Sequence, residues 1–378
     1  MIPVLSLGPN SWFGPWMNRQ QLLSRFPDNF NILYSQGLFQ SWELGNKQWK
    51  SANTFSDFQK SDRVTIHVKG KFPVKFKSGS FLDRIMVSMM LDKWKRELDW
   101  RDGEGVGYFF SPEFTDYARY LKPKCIVYHV YDQFQSLPGW TKSNDINHRW
   151  MLDHADIVIA SSEMIAKSLE KLSGREVSLV ENGVDFSAFS GNYDVPDEFK
   201  DISDPKIVYT GNINRKIDLP LIYRLSIERP DWKWFFIGRV NNLDEVTERF
   251  YKKLLHRDNV FFLGYKSVSE LPSYVTNSSV NIMNYRLGKG LWSDSGYPLK
   301  LNEYLAAGRP IVSCNIQAVQ RYSEVISIAK TDEDWLSLLN SGINERNQSM
   351  VCRRVNIARE NSWESKVDSI CELILDKY

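Results

Sequence analysis

The chain alternates short strand-like runs with helix-patterned segments, twice over, and this constrains its fold more than any other feature. In the first half the strand-like runs are "PVLSL", "NILYSQ", "RVTIHV", "GVGYFF", "KCIVYHV", "DIVIAS" and "VSLVENGVD". Helical patterns lie between them in "MNRQQLLSRF", around 80 to 98, around 145 to 154 and up to about 172. Such alternation argues for a parallel sheet covered by helices. After residue 185, "FSAFSGNYDVPDEFKDISDP" is polar, contains Pro and Gly and lacks periodicity, so it reads as a linker. The pattern then restarts with "KIVYTG", a helix at 217–228, "WKWFFIG", a helix at 243–254, "NVFFLG", a helix at 267–275, "SVNIMNY" and "PIVSC", with helices to the end. The expectation is an α/β chain of two doubly wound domains: residues 1–188, a linker at 189–204, residues 205–361, and a C-terminal helix at 362–378 packing back on the first domain. In such sheets ligands bind at the carboxyl ends of the strands, so the two domains are expected to face an interdomain cleft.

Composition removes several function classes. With 48 basic and 46 acidic side chains the formal charge is +2, which lacks the footprint of a nucleic-acid binder. The N-terminal stretch has no basic leader ahead of its apolar run, and nowhere do about 18 apolar residues run together. Four scattered cysteines without a CxxC argue against a disulfide framework or a zinc knuckle. A cytoplasmic protein is expected. There is no GxxxxGK[ST], no GxSxG and no HExxH, and "GEGVG" at 103–107 precedes a strand instead of following one. The acidic "TDEDW" at 331–335 reads as a capped helix start in preference to a metal-binding DxD. No metal and no cofactor are expected.

What remains is a pattern suited to a diphosphate. The turn "YTGNINRKIDLPL" puts Gly211 directly after a strand and Arg215 and Lys216 at a helix entrance, where N–H groups and the helix dipole favour an anion. The stretch "SDSGYPLKLNEYLAAGRPIVS" at 293–313 reads as a loop, a helix entered at Pro298 and ended by Gly308, and a strand. Leu301, Tyr304 and Leu305 share its apolar stripe, and Lys300 and Glu303 share the other face. Taken singly, Arg215, Lys216 and Lys300 read as solvated surface charges; together they read equally well as a diphosphate site. As a helical partner of Lys300, Glu303 contributes only roughly 0.2–0.5 kcal/mol. Accepting ribose hydroxyl hydrogen bonds is worth about 1.5–3 kcal/mol each and is the stronger role.

The second of these stretches, "GYPLKLNEYLAAGRPIVS", resembles the nucleotide-sugar motif of GT-B glycosyltransferases, particularly glycosyltransferase family four and the bacterial polysaccharide enzymes akin to the xanthan glucuronosyltransferase. Supporting matches run in order along the chain: "SWFGPWMNRQQLL", "YHVYDQFQSLPGW", "ADIVIASSEMIAKSL", "VENGVD", "YTGNINRKIDLPLI" and "ENSWESKV". The resemblance implies the GT-B fold, two Rossmann-like domains, and transfer of a sugar from a UDP- or GDP-linked donor to a glycan or lipid-linked acceptor in bacterial surface polysaccharide synthesis. It implies that Glu303 binds the donor ribose, that Lys300, Arg215 and Lys216 hold the diphosphate, and that Gly264, Tyr265 and Lys266 border the base. Gly211, Leu301 and Ser295 fall among the nucleotide-sugar-binding positions, and Trp12, Phe13 and Gly14 line the cleft from the first domain. Asp132 matches a proposed catalytic base, with His129 as competitor; on spacing alone Asp132 reads as a turn residue after a strand. Ser295 stands where family four commonly has a first glutamate, which leaves the stereochemical course open. A nucleotide-sugar 2-epimerase of similar architecture and a non-catalytic nucleotide-sugar binder are the alternatives.

Residues 60 to 84 carry seven basic side chains, Lys60, Arg63, Lys69, Lys71, Lys75, Lys77 and Arg84, against Asp62 and Asp83, interleaved with Phe72, Phe76 and Phe81. This reads as a solvated loop before a core helix, or as a surface that docks on anionic lipid at the inner face of the cell membrane.

Overall fold

A computed structural model describes residues 1–14, 16–76, 80–101, 103–136, 139–203, 205–288 and 296–378. The chain forms two compact units, Met1–Glu181 with Glu364–Tyr378, and Asn182–Trp363.

The first unit holds β1 (Ile2–Leu7), β2 (Phe30–Ser35), β3 (Phe39–Gln40), β4 (Asp57–Ser61), β5 (Val64–Val68), β6 (Val74–Lys75), β7 (Val106–Phe109), β8 (Cys125–Val130), β9 (Ile157–Ala160) and β10 (Ser178–Leu179). Its main sheet runs β10-β9-β8-β7-β1-β2-β5-β4. All its pairings are parallel except β4 on β5, at one edge. The order reverses between β1 and β7, the kind of switch point where doubly wound sheets bind ligands. Strands β7 and β9 are buried along their whole length, because helices cover both faces. The C-terminal helix Trp363–Lys377 enters this unit, with Glu364 paired to Arg25 at 2.9 Å and the Tyr378 hydroxyl accepting the Gly105 N–H.

The second unit holds β11 (Lys206–Thr210), β12 (Lys233–Ile237), β13 (Val260–Gly264), β14 (Val280–Met283), β15 (Ile311–Cys314) and β16 (Ser327–Ala329) in the order β13-β12-β11-β14-β15-β16, all parallel. Here the switch point lies between β11 and β14. Aromatic pairs stack across β12 and β13, Phe235 on Phe261 at 4.9 Å and Phe236 on Phe262 at 5.1 Å. The stretch 189–204, read as a linker, contains the short helix Asp197–Lys200, and Phe189 and Phe199 are buried within this unit. Asp334 of "TDEDW" is the first residue of the helix Asp334–Ile343 and accepts the Lys330 and Thr331 N–H groups of the preceding turn, while the N-cap residue Glu333 makes no side-chain cap bond.

Candidate functional site

Strands β11 and β12 end in Gly211 and Gly238, with φ of 122° and 153°. The Gly211 N–H donates to Ile237 O and the Gly238 N–H to Gly264 O, both at 2.8 Å, so adjacent strand ends are drawn together. A Cβ on Gly238 would lie 2.1 Å from the Gly211 carbonyl oxygen, and one on Gly211 would lie 2.9 Å from Lys300 Nζ. Only glycine fits either position.

The helix Leu299–Ala306 begins after Pro298, which is its cap and not its first helical residue, with φ −68° and ψ 129°. No side chain caps it, so its leading N–H groups are uncommitted to a cap. Tyr304 ties it to β11: its hydroxyl accepts the Thr210 N–H at 2.8 Å. Leu301 is fully buried in the core, which makes packing its side chain's role. Lys300 is not on a solvated edge. It is 8% exposed, with Nζ 3.5 Å from the Tyr209 ring centroid and 5.3 Å from that of Tyr285, so its ammonium sits at the β11/β14 switch point. Burial holds its pKa well below the usual lysine value, against the opposing pull of Glu303. Glu303 is half-buried; burial pushes its carboxyl up to about 7 while Lys300 draws it down. The two make no ion pair within 4.0 Å.

The other cationic helix entrance is differently built. Asp218 caps the helix Leu219–Glu228 through the Leu221 N–H at 3.0 Å, so that helix end is already satisfied by its own carboxylate. Arg215 is exposed and Lys216 half-buried on the turn before it, a turn held by the Arg215 N–H to Asn242 O and the Arg286 N–H to Lys216 O. Tyr265 is 55% exposed, but Lys266 is ion-paired with Glu198, whose other oxygen accepts the Tyr274 hydroxyl at 2.9 Å. Ser295 lies outside the described residues.

In the first unit, the loop after β1 is fastened from several sides. Arg19 Nη1 donates to Asn10 Oδ1 at 2.6 Å, the Tyr34 hydroxyl to Asn10 O at 2.7 Å, and Gln20 Nε2 to Ser11 O at 3.1 Å. Trp12 is buried against Tyr34, Phe13 is exposed, and Gly14 closes a turn onto Ser11 O. His129 is 1% exposed, with Nδ1 2.8 Å from the Tyr108 hydroxyl and its ring stacked on Phe110. Burial, helped by Arg19, pushes it down to about 3, so it is neutral at physiological pH and a feeble base. Asp132 is half-buried and its Oδ1 accepts the Gln133 N–H at 2.9 Å. Two residues missed in the sequence join this edge. Arg19 lies over the Tyr131 ring at 4.7 Å, and the Glu113 carboxyl is pushed up by burial against the opposing pull of the Lys69 and Lys75 charges. Glu113 was concealed because an acid after "SP" reads as first-turn dipole complement. Among the described residues, no three His, Cys, Asp or Glu side chains gather as a metal site would need.

The basic run dissolves on folding. Lys75 is buried in an ion pair with Asp116 at 2.8 Å, correcting its reading as a surface charge. Lys69 lies over Phe39 with Glu43 3.9 Å away, Lys71 over Trp49, and Arg63 pairs with Asp28. Lys77 lies outside the described residues. What stands out instead is apolar: Phe55, Phe72, Phe76, Phe81, Leu82 and Met89 are exposed.

Residues 204–336 match the family described as "Glycosyl transferases group 1". The chain is 29% identical over 223 residues to the putative teichuronic acid biosynthesis glycosyltransferase TuaH of Bacillus subtilis, a match covering 56% of this chain and 55% of that protein. The chain thus aligns with little more than half the length of that curated relative. Among solved structures, Anabaena Alr3699/HepE in complex with UDP and glucose aligns over the whole of both chains with a TM-score of 0.67 at 12% identity. Sucrose-phosphate synthase from Thermosynechococcus elongatus aligns over 100% of this chain and 99% of its own with a TM-score of 0.71 at 11% identity. The chain has the GT-B fold, and its match to the glycosyl transferases group 1 family lies within its second unit.

Proposed function

We propose that this protein is a hexosyltransferase that moves a sugar from a UDP- or GDP-linked donor to a glycan or lipid-linked acceptor in bacterial surface polysaccharide synthesis. The observation that carries the reading is Lys300, a buried ammonium with aromatic faces for neighbours, beside Gly211 at the switch point of a parallel sheet. A diphosphate there supplies the anion that the site lacks, and Glu303 one turn on supplies the acceptor for ribose hydroxyls. Similarity to TuaH, and HepE's binding of UDP and glucose, support the same class.

In the reaction proposed, the acceptor hydroxyl oxygen bonds to the anomeric carbon as the bond from that carbon to the diphosphate breaks. Lys300 and Arg215 balance the charge of the leaving diphosphate, so the reading calls for no metal or other cofactor. The hydroxyl proton passes to a carboxylate, for which Asp132 is the better candidate now that His129 is deeply buried and weakly basic. The test is release of UDP or GDP from a panel of nucleotide sugars with and without a lipid-linked glycan extract. Acceptor-dependent release that Asp132→Asn slows is expected. Turnover without acceptor would point to the epimerase, and nucleotide binding without turnover to a non-catalytic binder.

Work on a lipid-linked acceptor fits a cytoplasmic protein at the inner membrane face. Support comes from the exposed side chains of Phe72, Phe76, Phe81, Leu82 and Met89, with Lys71 beside the first of them and exposed Arg84 among the others. Among the described residues no helix is long and apolar enough to cross a membrane, so contact would be peripheral, and vesicle flotation reads it directly.

A further inference from the structure

Arg19 stands on the helix Asn18–Leu23, after the loop that follows β1, and is 1% exposed. Its guanidinium carbon lies 4.7 Å from the centroid of the Tyr131 ring and 5.7 Å from that of Phe110, and its Cδ would lie 3.1 Å from a Cβ on Gly8. Gly8 follows β1, Phe110 follows β7 and Tyr131 follows β8. The guanidinium therefore sits over the carboxyl ends of neighbouring strands, across the switch point between β1 and β7.

Among the described residues its charge is met by neutral groups only. Nη1 donates to Asn10 Oδ1 at 2.6 Å, the Tyr131 hydroxyl takes a further hydrogen bond, and Nε has no partner. No carboxylate of the described residues stands within ion-pair distance. Other buried cations are treated differently: Lys75 pairs with Asp116 at 2.8 Å, and Arg354 meets both oxygens of Glu345 at 2.6 Å. Lys300 lacks such a pair, and it is the residue read above as a phosphate ligand. An arginine buried without a counter-ion is destabilising, so fold maintenance is a poor reason for it. Its charge is nonetheless within reach of a ligand. Asn10, Ser11 and Phe13 of the loop above it are exposed, so an anion that displaces the neutral Asn10 amide meets the guanidinium directly. Carboxylates and phosphates are the anions that a guanidinium fork matches.

We propose that Arg19 receives an anionic group of the acceptor, a sugar carboxylate or a phosphate, so that the acceptor of this protein is a charged glycan. This rests on the glycosyltransferase reading given above and adds to it the chemical class of the acceptor. Asp132, the carboxylate given the proton-accepting role, follows Tyr131 in the chain. The anion is thus held at the same strand end as the hydroxyl that reacts.

The experiment is calorimetric titration of methyl glucuronide, glucose 1-phosphate and methyl glucoside into the full chain as wild type, Asn10→Asp, Arg19→Gln and Arg19→Lys, with UDP and GDP titrated into each. The wild type is expected to bind one of the two anionic sugars roughly ten- to a hundredfold more tightly than methyl glucoside, the range of one charge-assisted contact. Which of the two it prefers separates carboxylate from phosphate. Asn10→Asp sets a carboxylate against Nη1, so it is expected to raise the thermal midpoint and abolish the preference. An arginine with only a structural role would give the first effect without the second. Arg19→Gln is expected to lose the preference and Arg19→Lys to keep part of it. Equal binding of charged and neutral sugars by the wild type overturns the proposal, and so does a preference that survives in Asn10→Asp and Arg19→Gln. If the preference is absent while UDP or GDP still binds, the acceptor class falls and the nucleotide reading stands. If neither nucleotide binds the wild type, the glycosyltransferase reading falls first and the acceptor class with it.

Discussion

Lys300 and Glu303 sit on successive residues of one helix face and leave each other incompletely neutralised. Burial holds the Lys300 ammonium, over two tyrosine rings, below the usual lysine range, and pushes the Glu303 carboxyl up to about 7, so in both the charged form is disfavoured. A ligand with an anion for one and hydroxyls for the other would restore both charges. The sign of the resulting pH dependence follows. A carboxyl whose pKa is raised on folding contributes stability that is full below about 4.5 and lost as pH rises towards about 7. Ligand binding needs the ionised form, so affinity for a nucleotide sugar should tighten from pH 6 to pH 8. A nucleotide sugar suits the measurement because its diphosphate carries no terminal phosphate ionising in that window. In Glu303→Gln binding should be weaker and this acidic limb flat; an unchanged limb would remove Glu303 from the site.

At the scale of elements, buried parallel strands were legible because helices on both faces demand unbroken apolar runs such as "WFFIG". Gly308, with φ +67° beyond the last turn of its helix, was legible from its own backbone freedom, and Pro298 marked the other end to within one residue, as the cap. Side-chain partners from distant segments were not. Nothing near Lys75 in the chain announces that Asp116 will bury it, and nothing near Lys266 announces Glu198. The two-residue strands β3 and β6 carry too few positions to show a period. The helix Phe81–Glu97 shows how burial redistributes a pattern: Val87, Met90, Leu91 and Trp94 face the core, while Phe81, Leu82, Ile85 and Met89 face outwards. Anionic vesicles should therefore float the protein, and Phe81→Ser with Leu82→Ser should abolish most of that flotation, while Lys75→Met, which removes an internal charge, should act only through stability. Equal flotation of wild type and the double variant would leave this face without a membrane role.

For the whole molecule, the three buried histidines all belong to the first unit. His67 and His129 are pushed down to about 3 and His148 to about 4, in each case by burial before any charge. Each contributes stability that is full above its unfolded value near 6.5 and lost as pH falls, at about 1.4 kcal/mol per pH unit. The first unit should accordingly lose amide-exchange protection between pH 7 and pH 5 well before the second, whose His256 is exposed. Equal loss in both would refute this. The two-unit α/β plan was visible in the restart of the strand–helix rhythm. The division at 181/182 was not, because the polar residues after 185 pack Phe189 and Phe199 into the second unit. The central claim is that the corner formed by Gly211, Lys300 and Glu303 holds a nucleoside diphosphate. Calorimetric titration of UDP and GDP into wild type and Glu303→Ala tests it most directly. Saturable binding of one nucleotide, weakened about tenfold or more in the variant, is the expected result, since a charge-assisted hydrogen bond of about 1.5 kcal/mol is lost. Binding of neither nucleotide to the wild type, or equal affinity in the two proteins, would contradict it.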